Sequence, residues 1–250
     1  MNTASPAVQR TSSPSAYHKA RNALAIELEA SETVLTAYSN HPLVVERNGL
    51  NGKERGFILR LHQDNPDAPL SPFYLQFRTP DNPKPGPLTQ DIIDQSASCM
   101  QMLIAINGLH FDAVAGVPRA GDPFAEALAR FTGKPSIPME KYEHNGKRHI
   151  ASLKGKVPLS VKKVLLVDDL ITRSDSKREA IQILRDEGMK VVDVIVVVDR
   201  EQGGRDGLAA LNCELHSVFT ITEMFGFFLE IGKIDSRLND DTQRYLASQV

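Results

Sequence analysis

The chain has 250 residues, of which 41% are hydrophobic and 24% are charged, and its formal net charge is −2. These values indicate a globular protein with one substantial domain and room for a small second one, and they give no reason to expect nucleic acid as a partner. No apolar run approaches the roughly 20 residues of a membrane-spanning helix, so we expect a soluble protein with no membrane partner. Cys99 and Cys213 lack metal-ligand spacing, and we expect buried thiols in a reducing compartment, the cytoplasm.

The N-terminal third of the chain predicts a tail followed by a small subdomain. Residues 1–16 are rich in Ser, Thr, Ala and Pro, and we expect a disordered tail there. Residues 17–38 carry leucines among Ala and Glu and predict one or two amphipathic helices. FILRL from Phe57 and FYLQFR from Phe73 are typical of strands. We therefore expect helices and a small β-containing hood over residues 17–88, ending in a proline-rich boundary.

From residue 89 to residue 250, helical and strand-like segments alternate, which predicts an α/β core with a parallel sheet flanked by helices. The expected helices are residues 91–108, PFAEALARF, residues 176–188 and DGLAALN. The expected strands are FDAVAGV, SIPM, KVLLVDD, VVDVIVVVDR and ELHSVFTI, which predict a sheet of about five strands. Ser176 and Glu179 have the spacing of a capping box.

The most informative segment is residues 163–177, KVLLVDDLITRSDSK. Its apolar run predicts a buried strand of a parallel sheet, with Asp168 and Asp169 at the carboxyl end, where ligands bind in open α/β sheets. A hydroxyl-rich loop then leads into a helix N-terminus, which favours a bound phosphate. The segment predicts a phosphate-and-sugar site. A solvated strand end and the Mg²⁺ site of a nucleotide-hydrolysing enzyme are the alternatives, although the GxxxxGK[ST] motif of the latter is absent.

The same segment resembles the phosphoribosyl pyrophosphate (PRPP) motif of type I phosphoribosyltransferases. Further segments narrow the resemblance to the orotate phosphoribosyltransferases. FDAVAGVPRAGDPFAEALA is similar to that family's strand, pyrophosphate-contacting loop and helix; SPFYLQFR resembles its substrate-side segment, and VVVDREQGG its DRxxGG-like turn. The matches occur in the family's order between Phe57 and Ile231. The resemblance implies the type I phosphoribosyltransferase fold with an N-terminal hood over the site.

A PRPP site is implied by this resemblance. Asp168 and Asp169 match the acidic pair that contacts the ribose hydroxyls, and carboxylates favour the positive charge that develops on the sugar ring. Arg119 matches a pyrophosphate-contacting position, where a guanidinium binds phosphate in a bidentate manner, although it could also be an exposed loop charge. The PRPP-binding loop comprises Leu170, Ile171, Thr172, Arg173, Ser174, Asp175 and Ser176.

Residues 140–149, EKYEHNGKRH, occupy the place of the family's mobile basic loop, which reaches over a neighbouring subunit's active site. Lys141 is the candidate for stabilising the departing pyrophosphate. His144, Lys147 and Arg148 are weaker candidates, because a run of charges is usually a solvated face. The shared loop implies a homodimer.

Other residues are placed by the resemblance at the base. Arg200 matches the arginine that meets the pyrimidine acid, although a salt bridge to a neighbouring acidic residue is the alternative. Thr172 borders the same subsite. Arg60 falls near a family lysine, despite an insertion that follows it. Phe73 and Tyr74 either stack on the flat base or belong to the core.

The resemblance implies Mg²⁺-dependent transfer of ribose 5-phosphate from PRPP to orotate, which gives orotidine 5′-monophosphate in pyrimidine biosynthesis. The Mg²⁺ would be held mainly by PRPP, without a closed protein metal site. Ser174 departs from the family pattern because a glycine is usual there, and Asp175 adds a carboxylate beside the phosphate. Met139 and Glu140 stand where positive charge is common. These departures argue for a diverged or inactive member. The alternatives are a phosphoribosyltransferase for another base and a non-catalytic PRPP-binding regulatory module, which the unusual TRSDS loop favours.

Overall fold

The protein is described by a computed structural model covering residues 13–49, 52–59, 61–82, 84–144, 147–153 and 157–249. The helices are α1 Pro14–Ala30, α2 Leu61–Asp64, α3 Gln90–Ile106, α4 Asp122–Thr132, α5 Asp175–Asp186, α6 Gly204–Ala209, α7 Ile221–Glu230 and α8 Ser236–Ala247. The strands are β1 Val34–Thr36, β2 Val44–Gly49, β3 Gly52–Phe57, β4 Phe73–Leu75, β5 Ala113–Gly116, β6 Met139–His144, β7 Lys147–Leu153, β8 Lys163–Ile171, β9 Lys190–Asp199 and β10 Glu214–Thr220.

Two compact units make up the fold. The first comprises the described residues up to Leu24 together with Thr89–Ile221, and the second comprises Ala25–Leu88 and Thr222–Val250. The second unit thus takes in residues 222–250, which the sequence analysis assigned to the α/β core. Their aromatic side chains explain the difference, because Phe225 and Tyr245 pack on Phe73, with ring centroids 5.5 and 5.9 Å away.

A parallel sheet with the strand order β10-β9-β8-β5 forms the centre of the first unit. The predicted parallel α/β sheet is therefore confirmed. The predicted SIPM strand contributes only an isolated parallel bridge between Ser136 and Val114. Pro135 and Pro138 flank this bridge, and proline has no N–H with which to extend a ladder.

The central strands β8 and β9 are almost entirely buried, which explains why most of their residues are Val, Leu and Ile. α5 covers one face of the sheet, where its residues Ala180, Ile181 and Leu184 join Leu166 and Val194 in a single apolar cluster. α4 packs on β5 and β8. The loops that precede α4 and α5 both lie at the carboxyl ends of their strands, β5 and β8.

The predicted capping box at the start of α5 is wrong. The helix begins at Asp175 with Ser174 as its N-cap, and the Ser174 side chain makes no capping hydrogen bond. Ser176 therefore lies inside the first turn. Glu179 instead accepts a hydrogen bond from Ile150 N at 3.2 Å, which ties α5 to β7.

The predicted basic loop at residues 140–149 is largely a β-hairpin. β6 and β7 pair in antiparallel fashion from Met139↔Leu153 to His144↔Lys147. Met139 and Ile150 are buried, whereas Glu140 is exposed. One apolar face packed on the unit explains why this charged segment forms strands rather than a loop.

The second unit contains the predicted hood strands, β2 paired with β3 and β1 paired with β4, both antiparallel. Val34–Thr36 is a strand rather than the predicted helix, consistent with its β-branched residues. The predicted FILRL strand is wrong, because Phe57 is the last residue of β3 and Leu61 begins α2. α1 begins at Pro14, inside the predicted tail, and residues 1–12 lie outside the described part of the chain. Among the described helices, none has the length and apolarity to cross a membrane.

Candidate active site

Asp168 and Asp169 lie near the carboxyl end of β8 and are only 3% and 8% exposed. Asp168 Oδ1 accepts a hydrogen bond from Asp169 N at 3.0 Å, and Asp169 Oδ1 accepts one from Leu170 N at 2.7 Å. Burial raises the pKa of Asp169 well above its ordinary value, the charge of Asp168 adds to the rise, and Lys177 opposes it. The two side chains form a buried acidic pair whose orientation is set by the backbone that follows.

Lys177 is the residue of this site that the sequence analysis missed. It is the third residue of α5 and is 4% exposed, and its Nζ forms an ion pair with the Asp168 carboxylate. The same Nζ donates a hydrogen bond to Leu170 O at 2.7 Å. The helical periodicity of α5 could have indicated that Lys177 is buried. It stands at the first position of the buried stripe that continues through Ala180, Ile181 and Leu184.

The predicted phosphate loop lies between β8 and α5. Leu170 and Ile171 end β8, and Thr172 and Ser176 are half-buried. Arg173 and Asp175 are exposed, and within the described chain they form no ion pair with each other. Asp175 occupies the first turn of α5, where the helix dipole favours a carboxylate.

The side chain of Ser174 packs against α6. Ser174 is 5% exposed, and a Cβ placed on Gly207 would overlap its Oγ. Glycine at position 207 therefore provides the space for a serine in a loop where the related family usually has glycine. The hydroxymethyl group is directed into the fold, so it leaves the outer side of the loop accessible.

The turn that carries Arg119 rests directly on the end of β8. Val117 N donates a hydrogen bond to Val167 O at 2.9 Å. A Cβ on Gly121 would overlap Val167 O and lie 3.0 Å from Asp168 Cα, so this close approach requires glycine. Arg119 itself is exposed on the turn.

Lys141, on β6, reaches the same turn. Its Nζ donates a hydrogen bond to Pro118 O at 2.9 Å. The structure thus brings the acidic pair, the Arg119 turn and Lys141 together through direct contacts. The side chains of His144, Lys147 and Arg148 lie outside the described part of the chain.

The turn after β9 also contacts the phosphate loop. Arg200 is half-buried, and its backbone N donates a hydrogen bond to Ile171 O at 2.9 Å. The neighbouring Asp199 carboxylate pairs with Arg205 at 3.2 Å and accepts a hydrogen bond from Glu201 N at 2.9 Å. Asp199 is therefore held by Arg205 and by the backbone of the turn that carries Arg200.

Three predicted base-side residues belong to the second unit or are not described. Phe73 is fully buried in the aromatic core of that unit, as the core alternative expected. Tyr74 is half-buried and stacks on Phe57, with ring centroids 5.7 Å apart. Arg60 lies outside the described residues.

Within the described residues, the acidic pair belongs to no group of three potential metal ligands. In the described portion of the chain, the group of three potential metal ligands is Asp193, Glu214 and His216, on β9 and β10. Asp193 already binds Lys163 Nζ at 2.7 Å and His216 Nε2 at 3.2 Å. Burial acts to raise the pKa of Asp193, but the hydrogen bonds from Lys163 and His216 outweigh it and hold that pKa below its ordinary value. This group is a satisfied ion-pair cluster.

Comparisons with known proteins identify the family of the chain. Residues 89–221 match the model of the phosphoribosyl transferase domain family. The chain is 29% identical over 183 residues to an orotate phosphoribosyltransferase of Sulfurisphaera tokodaii, covering 72% of this chain and 87% of the relative. It is 31% identical over 164 residues to an orotate phosphoribosyltransferase of Sulfolobus acidocaldarius, covering 64% of this chain and 76% of the relative.

A solved structure shares the fold. The crystal structure of orotate phosphoribosyltransferase from Aeropyrum pernix aligns with a TM-score of 0.55 and 23% identity, over 84% of this chain and 99% of that chain. The sequence match to the family model extends over the whole region that builds the site, from α3 to the end of β10. The chain belongs to the phosphoribosyl transferase family, and its relatives group it with the orotate phosphoribosyltransferases.

Proposed function

We propose that the protein transfers the ribose 5-phosphate group of PRPP to orotate, giving orotidine 5′-monophosphate and pyrophosphate. One observation carries the proposal: the buried acidic pair at the end of β8 is in direct contact with the Arg119 turn and continuous with the phosphate loop. A pentose bound there would meet carboxylates at its hydroxyls, with its two phosphate-bearing ends directed at separate loops.

Each part of the site has a role in this reaction. Asp168 and Asp169 accept hydrogen bonds from the ribose hydroxyls and stabilise positive charge on the sugar as the bond to pyrophosphate breaks. The N-terminus of α5 supplies backbone N–H groups to the 5′-phosphate. Arg119 and Lys141 neutralise the departing pyrophosphate. A ring nitrogen of orotate attacks the anomeric carbon, so the reaction needs no protein nucleophile and depends on positioning and electrostatics.

Arg200 is proposed to bind the orotate carboxylate, with Thr172 beside it. Its support is the turn's hydrogen bond to Ile171 O, which places the arginine next to the phosphate loop. Mg²⁺ fits this site as a partner of PRPP, because the acidic pair offers carboxylates but within the described residues forms part of no three-ligand group. PRPP oxygens would hold the ion, and its charge would assist departure of pyrophosphate.

A homodimer in the cytoplasm completes the proposal. The dimer is supported by the β6–β7 hairpin, because residues 140–149 occupy the place of the basic loop that reaches a neighbouring subunit's active site in the family. The cytoplasm is supported by Cys99 and Cys213, which are buried free thiols. Sedimentation equilibrium of the full chain tests the dimer, and a monomer at micromolar concentration would contradict it.

Release of pyrophosphate from PRPP and Mg²⁺, measured with orotate, uracil and purine bases, tests the reaction. We expect turnover with orotate alone. Turnover with uracil or a purine but not with orotate would replace the proposal by a phosphoribosyltransferase for another base. Binding of PRPP without turnover on any base would instead indicate a regulatory module.

A further inference from the structure

Lys177 is an unusual residue for its position. A cation in the first turn of a helix faces the positive end of the helix dipole, and burying it costs additional free energy. The other buried residues of the same stripe on α5 are apolar, so packing alone calls for a residue such as Met or Leu. Replacement of a buried ion pair by apolar residues of similar size is often neutral or stabilising. Fold stability therefore does not explain why the chain has an Asp168–Lys177 ion pair here in place of two apolar residues.

The contacts of Lys177 span the two parts of the site. Its Nζ reaches back from the third residue of α5 to the Asp168 carboxylate and to Leu170 O, both on β8. The residues between these points, 171–176, are the phosphate loop. One side chain thus braces both ends of that loop and fixes the rotamer of the first carboxylate of the acidic pair.

The charge of Lys177 matters because the ligand is strongly anionic. Buried carboxylates would repel the phosphates of PRPP, whereas the ion pair with Lys177 offsets the charge of Asp168. The ammonium group also lies beneath the helix end that is proposed to receive the 5′-phosphate. Among the described residues, the cation paired with this carboxylate is Lys177.

We infer that Lys177 is a positioning residue of the PRPP site, which holds Asp168 in place, closes the phosphate loop and offsets one carboxylate charge. This inference rests on the proposed use of PRPP at the same site. Lys177 does not contact the reacting atoms; it acts through Asp168 and the loop.

Three replacements of Lys177 separate the effect of its charge from the effect of its side-chain volume. K177M keeps the length of the side chain and removes the charge, K177Q keeps a hydrogen-bond donor for Leu170 O without the charge, and K177R keeps the charge. The matched control is K233M, because Lys233 forms a 2.9 Å ion pair with Glu29 on the surface of the second unit. Thermal unfolding is followed for each variant, to confirm that it folds.

The readouts are the affinity for PRPP with Mg²⁺, measured by titration calorimetry, and the kcat and KM for orotate. We expect K177M and K177Q to lose about 10- to 100-fold in PRPP affinity and kcat, the range for hydrogen bonds to charged groups, with KM for orotate unchanged. K177R should recover to within about threefold, and K233M should match the wild type.

Wild-type affinity and kcat in K177M would overturn the inference, as would a K177R variant as defective as K177M. PRPP binding by the wild type without orotate turnover would overturn the proposed function only. In that case the calorimetric comparison of K177M with K177R still tests Lys177. If K177M does not fold, K177Q against K177R gives the same decision.

Discussion

Replacing Asp169 by Asn is expected to inactivate the protein and at the same time to stabilise its fold. Asp169 is 8% exposed beside the nearly buried Asp168. Two unit charges about 5 Å apart repel by about 3 kcal/mol at an effective dielectric of about 20. Lys177 attracts both carboxylates and offsets part of this repulsion, so we expect a net gain in the free energy of unfolding of about 1 kcal/mol for D169N near neutral pH.

The pH dependence of this effect has a definite sign. The folded-state pKa of Asp169 is raised above its unfolded value, which is about 3.9, so the folded state binds the proton more tightly. The destabilisation is absent below the unfolded pKa and grows as the pH rises through the window up to the folded pKa. The advantage of D169N over the wild type should therefore disappear near pH 4.

Urea denaturation at neutral pH and near pH 4, together with orotate turnover, measures both halves of this prediction. We expect kcat to fall by about 100-fold or more, because the carboxylate stabilises charge in the transition state. D240N, which changes an exposed aspartate on α8, is the control and should leave stability and turnover unchanged. A D169N variant less stable than the wild type at neutral pH, or one with an undiminished rate, would refute the reasoning.

Three further predictions concern the packing around the site. G207A should lower the free energy of unfolding by about 1–3 kcal/mol through overlap with Ser174, and S174G/G207A should recover most of it in urea denaturation; equal losses in both variants would contradict the contact. D193N should lose about 1–2 kcal/mol at neutral pH and progressively less as the pH falls below about 4 through the lowered pKa of Asp193, because the carboxylate stabilises the fold only while it is ionised; a pH-independent loss would argue against this. G121A should weaken PRPP affinity by at least about tenfold, measured by calorimetry, since a Cβ would push the turn off Val167 O; unchanged affinity would separate the turn from the site.

The strongest sequence patterns predicted the centre of the fold. β8 and β9 contain the buried apolar runs Val164–Val167 and Val194–Val198, and each run ends at an aspartate, Asp168 and Asp199 respectively. The acidic pair and the loop after it could therefore be located from residue order alone. Their burial and their mutual contacts depend on α4, α5 and the Arg119 turn, which are separate in sequence.

The features that sequence reasoning missed depend on partners that are distant in the chain. The β6–β7 hairpin has a charged, loop-like composition, and its strand character follows from burying Met139 and Ile150 against the unit. In the sequence, Lys177 is one of several charged residues of α5, and its ion pair with Asp168 distinguishes it only in the folded chain. The place of Ser174 is explained by Gly207, on a different helix, and no local pattern links those two positions.

The carboxyl end of β8 is the common attachment point of the segments that build the proposed site. The Arg119 turn bonds to Val167 O, the Arg200 turn bonds to Ile171 O, and the phosphate loop continues from the same strand. The separations between the proposed pyrophosphate, sugar and base subsites are therefore set by positions along one strand. Altered ligand selectivity should arise from changes at positions 167–171, whereas changes in the outer helices should alter stability and leave selectivity as it is.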